Sequence, residues 1–274
     1  MRIKLFILFL LIFSLYACER QTTWEIRSEQ INTVVVDAII TDEFKHQKIR
    51  LTKPFTDPNQ KPLPVYGAQV RVSYSDKIVY FTENPDNPGT YLSDVEFAGS
   101  INITYHLEID YASETYTADT RMIPVNTSTP LSYAPAGNSG NLYEITYVAP
   151  QYNAEEQAMY EVIIDWTHLV NTTQSDTLTI AKLFYYTFNT IDVSYIIFPQ
   201  DKEEIFFPKG SIITETKYSL TDKFAAYLRA LLAETEWQGS LFEEARGNLP
   251  TNISNGGLGY FSACSVISKV MVVQ

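Results

Sequence analysis

The sequence predicts a mainly β protein with one packed helix, and three observations predict it. Ile101–Asp110 alternates apolar and polar residues without a break, the period of a strand with one face in a core and the other in water. Short runs of the same kind recur through residues 33–121, separated by Pro, Gly, Asn and Asp clusters that fix or permit turn dihedrals. A single stretch, residues 219–236, carries apolar side chains at convincing helical spacing.

Taken in order, the chain begins with Arg2 and Lys4 before the apolar run Leu5–Tyr16. That run is too short to span a bilayer comfortably and has the size of a signal-peptide core. It ends in Leu15-Tyr16-Ala17-Cys18, which resembles a bacterial lipobox with Tyr16 in place of the usual Ser or Ala. Residues 1–17 are therefore expected to be removed as a lipoprotein signal peptide. Cys18 is the expected lipid attachment site, where acyl chains each contribute about 0.8 kcal/mol per buried CH₂ to membrane anchoring. A polar tether is expected over residues 18–30. Loss of Arg2 and Lys4 takes the formal charge from −12 to −14, so the domain should stand off anionic headgroups. With Cys18 consumed, Cys264 is left alone and reads as a small buried hydrophobe.

Residues 31–123 read as a sandwich. Thr33–Ile40 is nearly all apolar, as a central strand is. Ile49 and Leu51 alternate with Lys48, Arg50 and Thr52, and Ala68, Val70, Val72 and Tyr74 with Gln69, Arg71 and Ser73. Lys77–Thr82, Thr90–Ser93, Ile101–Asp110 and Ser113–Arg121 complete the set. About seven short strands in one segment indicate a Greek-key sandwich of immunoglobulin or prealbumin type.

Residues 124–140, rich in Pro, Ser, Thr, Asn and Gly, read as a linker. Residues 141–274 read as a β-rich domain, with strands at Leu142–Val148, Ala158–Thr167, Ala181–Phe188 and Val193–Phe198. Ser219 is the expected helix cap, with Asp222 in a variant capping box and Leu220, Phe224, Tyr227, Leu228 and Leu231 on one face. The helix should stop by Glu236. Gly256-Gly257-Leu258-Gly259 then turns the chain into a final strand, Tyr260–Val273.

Composition excludes several functions. With 20 Lys+Arg against 32 Asp+Glu, the surface cannot release the counterions of nucleic acid, so no such partner is expected. Three His and two Cys leave little for a zinc site, and neither metal nor cofactor is expected. A hydrophobic content of 45% is too high for a disordered chain.

No constellation for catalysis emerges. His46 and His106 fall on polar strand faces and read as solvated; His168 continues the apolar face of Tyr160, Val162, Ile164 and Trp166 and reads as a hydrogen-bonded core-edge residue. Glu161 and Asp165 share a strand face roughly 13 Å apart, outside either glycosidase geometry. Glu108 and Asp110, roughly 7 Å apart, fall inside the inverting range but on an open face that raises neither pKa. Gly256–Gly259 is followed by neither Lys-Ser/Thr nor a helix, so it cradles no phosphate, and Asp86 and Asn87 lack the rest of a calcium loop. Asp201–Glu204 reads as a solvated charge run. Nineteen tyrosines suit half-buried strand packing and, equally in kind, a ligand or protein interface.

Several segments in order carry a resemblance: Val34–Asp42, Ile49–Thr52, Val65–Val72, Pro88-Gly89-Thr90-Tyr91, Tyr105–Ile109 and Asn252–Phe261. Together they resemble an uncharacterised family of Bacteroidota lipoproteins, domain of unknown function 4249, with Ala38 where the family usually has Gly and Asp37 before it. The resemblance implies an outer-membrane location and an association with TonB-dependent receptors, and supplies no catalytic residues. Asp176-Thr177-Leu178 also looks like that phylum's O-glycosylation tripeptide. The expected function is a non-enzymatic accessory or binding subunit of a TonB-dependent uptake system, anchored through Cys18, with the leaflet face undecided. A hydrolase of an exported polymer and an adhesin or envelope-structure module are the alternatives.

Overall fold

The computed structural model describes residues 33–54, 61–127, 129–137, 141–169, 178–190, 205–235 and 249–274. The signal peptide, Cys18 and the tether lie outside the described residues, as do Val193–Phe198, Asp201–Glu204, Asp176 and Thr177.

The fold is mainly β with one helix. Seven strands come from the first half: β1 (Val35–Thr41), β2 (Lys48–Thr52), β3 (Gln69–Tyr74), β4 (Lys77–Glu83), β5 (Thr90–Ser93), β6 (Thr104–Tyr111) and β7 (Glu114–Arg121). Then follow β8 (Ser132–Pro135), β9 (Leu142–Tyr147), β10 (Ala158–Asp165), β11 (Ile180–Thr187), β12 (Phe207–Pro208), β13 (Ile212–Ser219), helix α1 (Asp222–Thr235), β14 (Leu258–Cys264) and β15 (Val266–Val272).

Hydrogen bonding joins the first seven strands and β14 in one sheet, ordered β14-β1-β2-β5-β4-β3-β6-β7. Alternation decides which side chains point in. Ile49, Leu51, Val70, Val72, Tyr105, Leu107 and Ile109 are buried in one cluster, each worth about 1.5–3 kcal/mol against exposure. The sheet curls until β7 comes beside β14: Ser254 exchanges backbone and hydroxyl hydrogen bonds with Thr117, and Ile123 bridges Cys264 in parallel.

The expected final strand, Tyr260–Val273, is two strands in two sheets. β14 pairs with β1 in parallel, and after Ser265 alone the chain continues as β15 against β13. The Asp42 carboxylate holds the crossover, accepting from Ser265 Oγ at 2.6 Å and Val266 N at 2.8 Å. Gly259 makes the β1–β14 approach possible: its φ is +80°, and a Cβ there would sit 2.0 Å from Val36 O. The Gly-rich motif is thus a closing device for the sheet.

The second region has a four-stranded sheet, β11-β10-β13-β15, and a three-stranded sheet, β12-β9-β8. Tyr160, Val162, Ile164 and Ile213 of the first meet Leu131, Val148 and Phe207 from the second in one core. β8 falls inside the stretch that composition marks as a linker. Residues 32–274 form one packing unit, with β14 carrying the chain's C-terminal part into the N-terminal sheet.

Helix α1 packs Phe224, Ala225 and Leu228, with Leu220 just before the helix, over Met159, Tyr260 and Cys264. Its cap is Thr221, whose hydroxyl accepts from Phe224 N at 3.3 Å, and not Ser219. Ser219 ends β13 instead, and its side chain is used elsewhere.

Candidate functional site

The residues singled out for chemistry are dispersed and mostly committed to local partners. His46 Nδ1 lies 2.6 Å from Ser93 O, and His106 Nδ1 lies 2.8 Å from Asp119 Oδ1. His168 departs from expectation: β10 stops at Asp165, and His168 lies exposed in a 3₁₀ turn with Nε2 3.1 Å from Gly210 O. Cys264 is fully buried between the sheet and α1, which pushes its thiol up to about 12 and leaves it protonated and inert at neutral pH.

Glu108 and Asp110 are not open to solvent as the alternation implied. Arg71, across on β3, forms ion pairs with both, that to Asp110 at 3.1 Å, and all three side chains are partly buried. An arginine fork on two carboxylates occupies oxygens that an acid–base pair would need for substrate and water. Glu161 pairs with Lys182 and accepts from Tyr218 Oη at 3.1 Å. Asp165 is held below the usual carboxylate range by Thr167, whose N–H donates to it at 2.8 Å. One open depression over β3 and β4 is lined by Gln69, Arg71, Tyr80, Thr82 and Glu83. Among the described residues no three His, Cys, Asp or Glu converge as a metal site.

Two features that the sequence reading did not locate lie on opposite faces of the four-stranded sheet. On its inner face, β13 points Glu215, Lys217 and Ser219 toward the core, where strand alternation ordinarily puts aliphatics. Lys217 is 3% exposed; its ammonium pairs with Glu156 at 2.9 Å, donates to Asn126 O at 3.1 Å and lies 5.7 Å from the Tyr160 ring centroid. Ser219 Oγ donates to Ile123 O at 2.8 Å, and Glu215 Oε2 accepts from Leu131 N at 3.4 Å.

These partners follow one another along the chain between the two regions. Pro124 and Pro130 deny that crossing two of the N–H groups a regular strand would use. Three successive inward side chains of β13 therefore lace it in place at Ile123, Asn126 and the buried Leu131. Glu215, 1% exposed, has Oε1 without a hydrogen-bond partner among the described residues. Desolvation raises its pKa, opposed by the Leu131 N–H and by the charges of Lys269 and Lys217.

The outer face of the same sheet is apolar where it should be wet. Its distal row is Ile180, Asp165, Ile212 and Val272, one residue from each strand. Val270 is 67% exposed, Val272 55%, Ile180 50% and Phe184 46%. At the opposite end of the face, Met159, Tyr186 and Tyr218 are packed in the cluster under α1. The helix thus covers one end and leaves the other bare, and the charges amid the bare part are the Lys182–Glu161 pair and Asp165. Such a surface can hold another apolar surface and offers no group for bond making. β propensity in Ile212-Ile213-Thr214 and Thr216-Lys217-Tyr218 was the available signal for β13, and through it for both faces.

The model of a family described as a domain of unknown function, DUF4249, matches residues 20–270. No curated protein matches the chain.

Proposed function

The chain belongs to the DUF4249 family, and on that premise we propose that it is a lipid-anchored outer-membrane protein acting as a non-enzymatic accessory or binding subunit of a TonB-dependent uptake system. The observation that carries the binding half of this reading is the bare apolar end of the four-stranded sheet. Monomeric soluble proteins rarely leave large contiguous apolar patches exposed, and such patches characterise interaction sites. The membrane half rests on the apolar run before Cys18 and on the resemblance to lipoproteins. The engagement of Glu108 and Asp110 by Arg71, and of Glu161 by Lys182, supports binding over hydrolysis.

Detergent-solubilised outer membranes test the reading. The protein should co-purify with a TonB-dependent receptor, and raised salt should slow association more than it speeds dissociation, since a chain of net charge −12 steers toward a basic partner. Cys18→Ala should release the chain from membranes; full retention of that variant removes the anchor from Cys18. Turnover of a polysaccharide or peptide that one carboxylate or His substitution abolishes replaces the binding reading with a hydrolase.

A further inference from the structure

Resting on the reading of this chain as a binding subunit, we propose that the distal outer face of the four-stranded sheet, built from Ile180, Phe184, Ile212, Val270 and Val272, is the docking surface for a different protein. Its partner presents an apolar patch rimmed by basic side chains.

Three observations select that occupant. Ile180, Ile212, Val270 and Val272 gather round the half-buried Ile163, and the lysine among them, Lys182, is paired with Glu161, so the face offers no free positive charge to an anionic headgroup layer. A second copy of the processed chain would bring a further −14 against the first, which costs association between like surfaces, whereas a basic rim is attracted by the same field. The third is the point at which residues 1–32 join. They enter at Thr33, where Val35 pairs with Leu258 at the start of β14. The bare patch lies at the far end of β15, at Val270 and Val272, with β14, Ser265 and most of β15 between. At about 3.3 Å per residue that is roughly 45 Å along the strand path. Along the chain the patch is thus the whole of β14 and most of β15 away from the strand end next to residue 33.

α1 adds a reason for the patch to be specific. It occupies the same face over Met159, Tyr186 and Tyr218 and so forms a step against which a partner would register.

The test uses the full lipoprotein in cells, with a photo-crosslinking phenylalanine analogue at position 270, at 184 and, as a control on the other sheet, at the exposed Tyr80. The expected result is an adduct with the same second protein from 270 and 184 but not from 80. Val270→Asp should weaken that protein's binding at least tenfold with an unchanged melting midpoint. An adduct of twice the chain's mass, an intramolecular adduct without mass gain, or flotation of the unlipidated chain with phosphatidylethanolamine–phosphatidylglycerol vesicles overturns the proposal. So does binding unaffected by Val270→Asp. A TonB-dependent receptor that co-purifies equally with wild type and Val270→Asp sinks this docking surface and leaves the uptake reading standing. A different protein captured at 270 and 184 and lost in Val270→Asp does the reverse.

Discussion

In the eight-stranded sheet, side chains sort by polarity: Ile49 and Leu51 of β2 are fully buried while Lys48 and Arg50, which alternate with them, face water. In the four-stranded sheet, β13 sorts the other way, with Glu215 and Lys217 inside and Ile212 at the surface beside Val270 and Val272. The difference lies in what each inner face has to meet. β2 faces only other side chains, so aliphatics suffice. β13 faces the chain crossing between the two regions, and its side chains hydrogen-bond the Ile123 and Asn126 carbonyls in partly buried contacts and the buried Leu131 N–H, the last out of reach of water. A strand's inner face is apolar only when what it packs on is already satisfied.

The largest expected effect is at the link between the regions. Gly259→Ala must place a Cβ against the Val36 carbonyl at a positive φ, so the loss should be on the order of 3 kcal/mol or more, or folding should fail. Urea titration followed by circular dichroism measures it. A near-neutral result would mean that β14 does not close on β1 as described, and the eight-stranded sheet would lose its eighth strand.

Lys217→Ala attacks the reversed sheet directly. It takes the buried ammonium away from Glu156, which keeps the Asn126 N–H, and from Asn126 O, so the loss should be about 3 kcal/mol, the low end for breaking a buried pair. A loss below 1 kcal/mol would place the ammonium in water and dissolve the contrast between the sheets.

The ordinary sheet offers the matched control. Leu107→Ala, at a position 1% exposed, should cost roughly 2–5 kcal/mol. Glu108→Ala, one residue along, should cost under about 1 kcal/mol, because Arg71 keeps Asp110 and the pair is partly solvated. Equal losses would put the alternation of β6 in the wrong register.

The same contrast explains what could be read from sequence. β1 to β7 were legible to within a few residues because most of them bury alternate apolar side chains, although Ile101 and Asn102 belong to a turn, Asn102 with φ +66°. β13 was not legible, since Glu215 and Lys217 occupy the positions where a pattern reading looks for core. Nor was the break at Ser265: Tyr260–Val273 holds no Pro or Gly to interrupt it, and only the change of partner from β1 to β13 divides it. Capping misled by two residues because Ser219 and Thr221 are both good cap residues, and the Ile123 carbonyl had already engaged the first. Of the candidate site, the engagement of Glu108 and Asp110 by Arg71 needed strand register, and the bare outer face needed the whole order of the sheet.

The smallest expected effect is also the most diagnostic of the reversed strand. Burial raises the Glu215 carboxyl above its ordinary range in the folded state, so over an interval of pH the folded chain binds a proton that the unfolded chain has released. Its contribution is fully present below the unfolded value near 4.5 and is lost as pH rises through the folded value. Wild type should therefore lose a little stability as pH climbs from 4.5 toward neutrality. Glu215→Gln keeps an acceptor for Leu131 N–H and cannot ionise, so it should flatten that decline. Asp165, whose folded value is lowered, contributes in the opposite direction and only as pH falls below 3.8, outside the interval measured. Paired urea titrations of the two proteins between pH 4.5 and 7.5 isolate Glu215 from it. Parallel curves would mean that Glu215 titrates as a solvated carboxylate, and then β13 carries its charge toward water as β2 does.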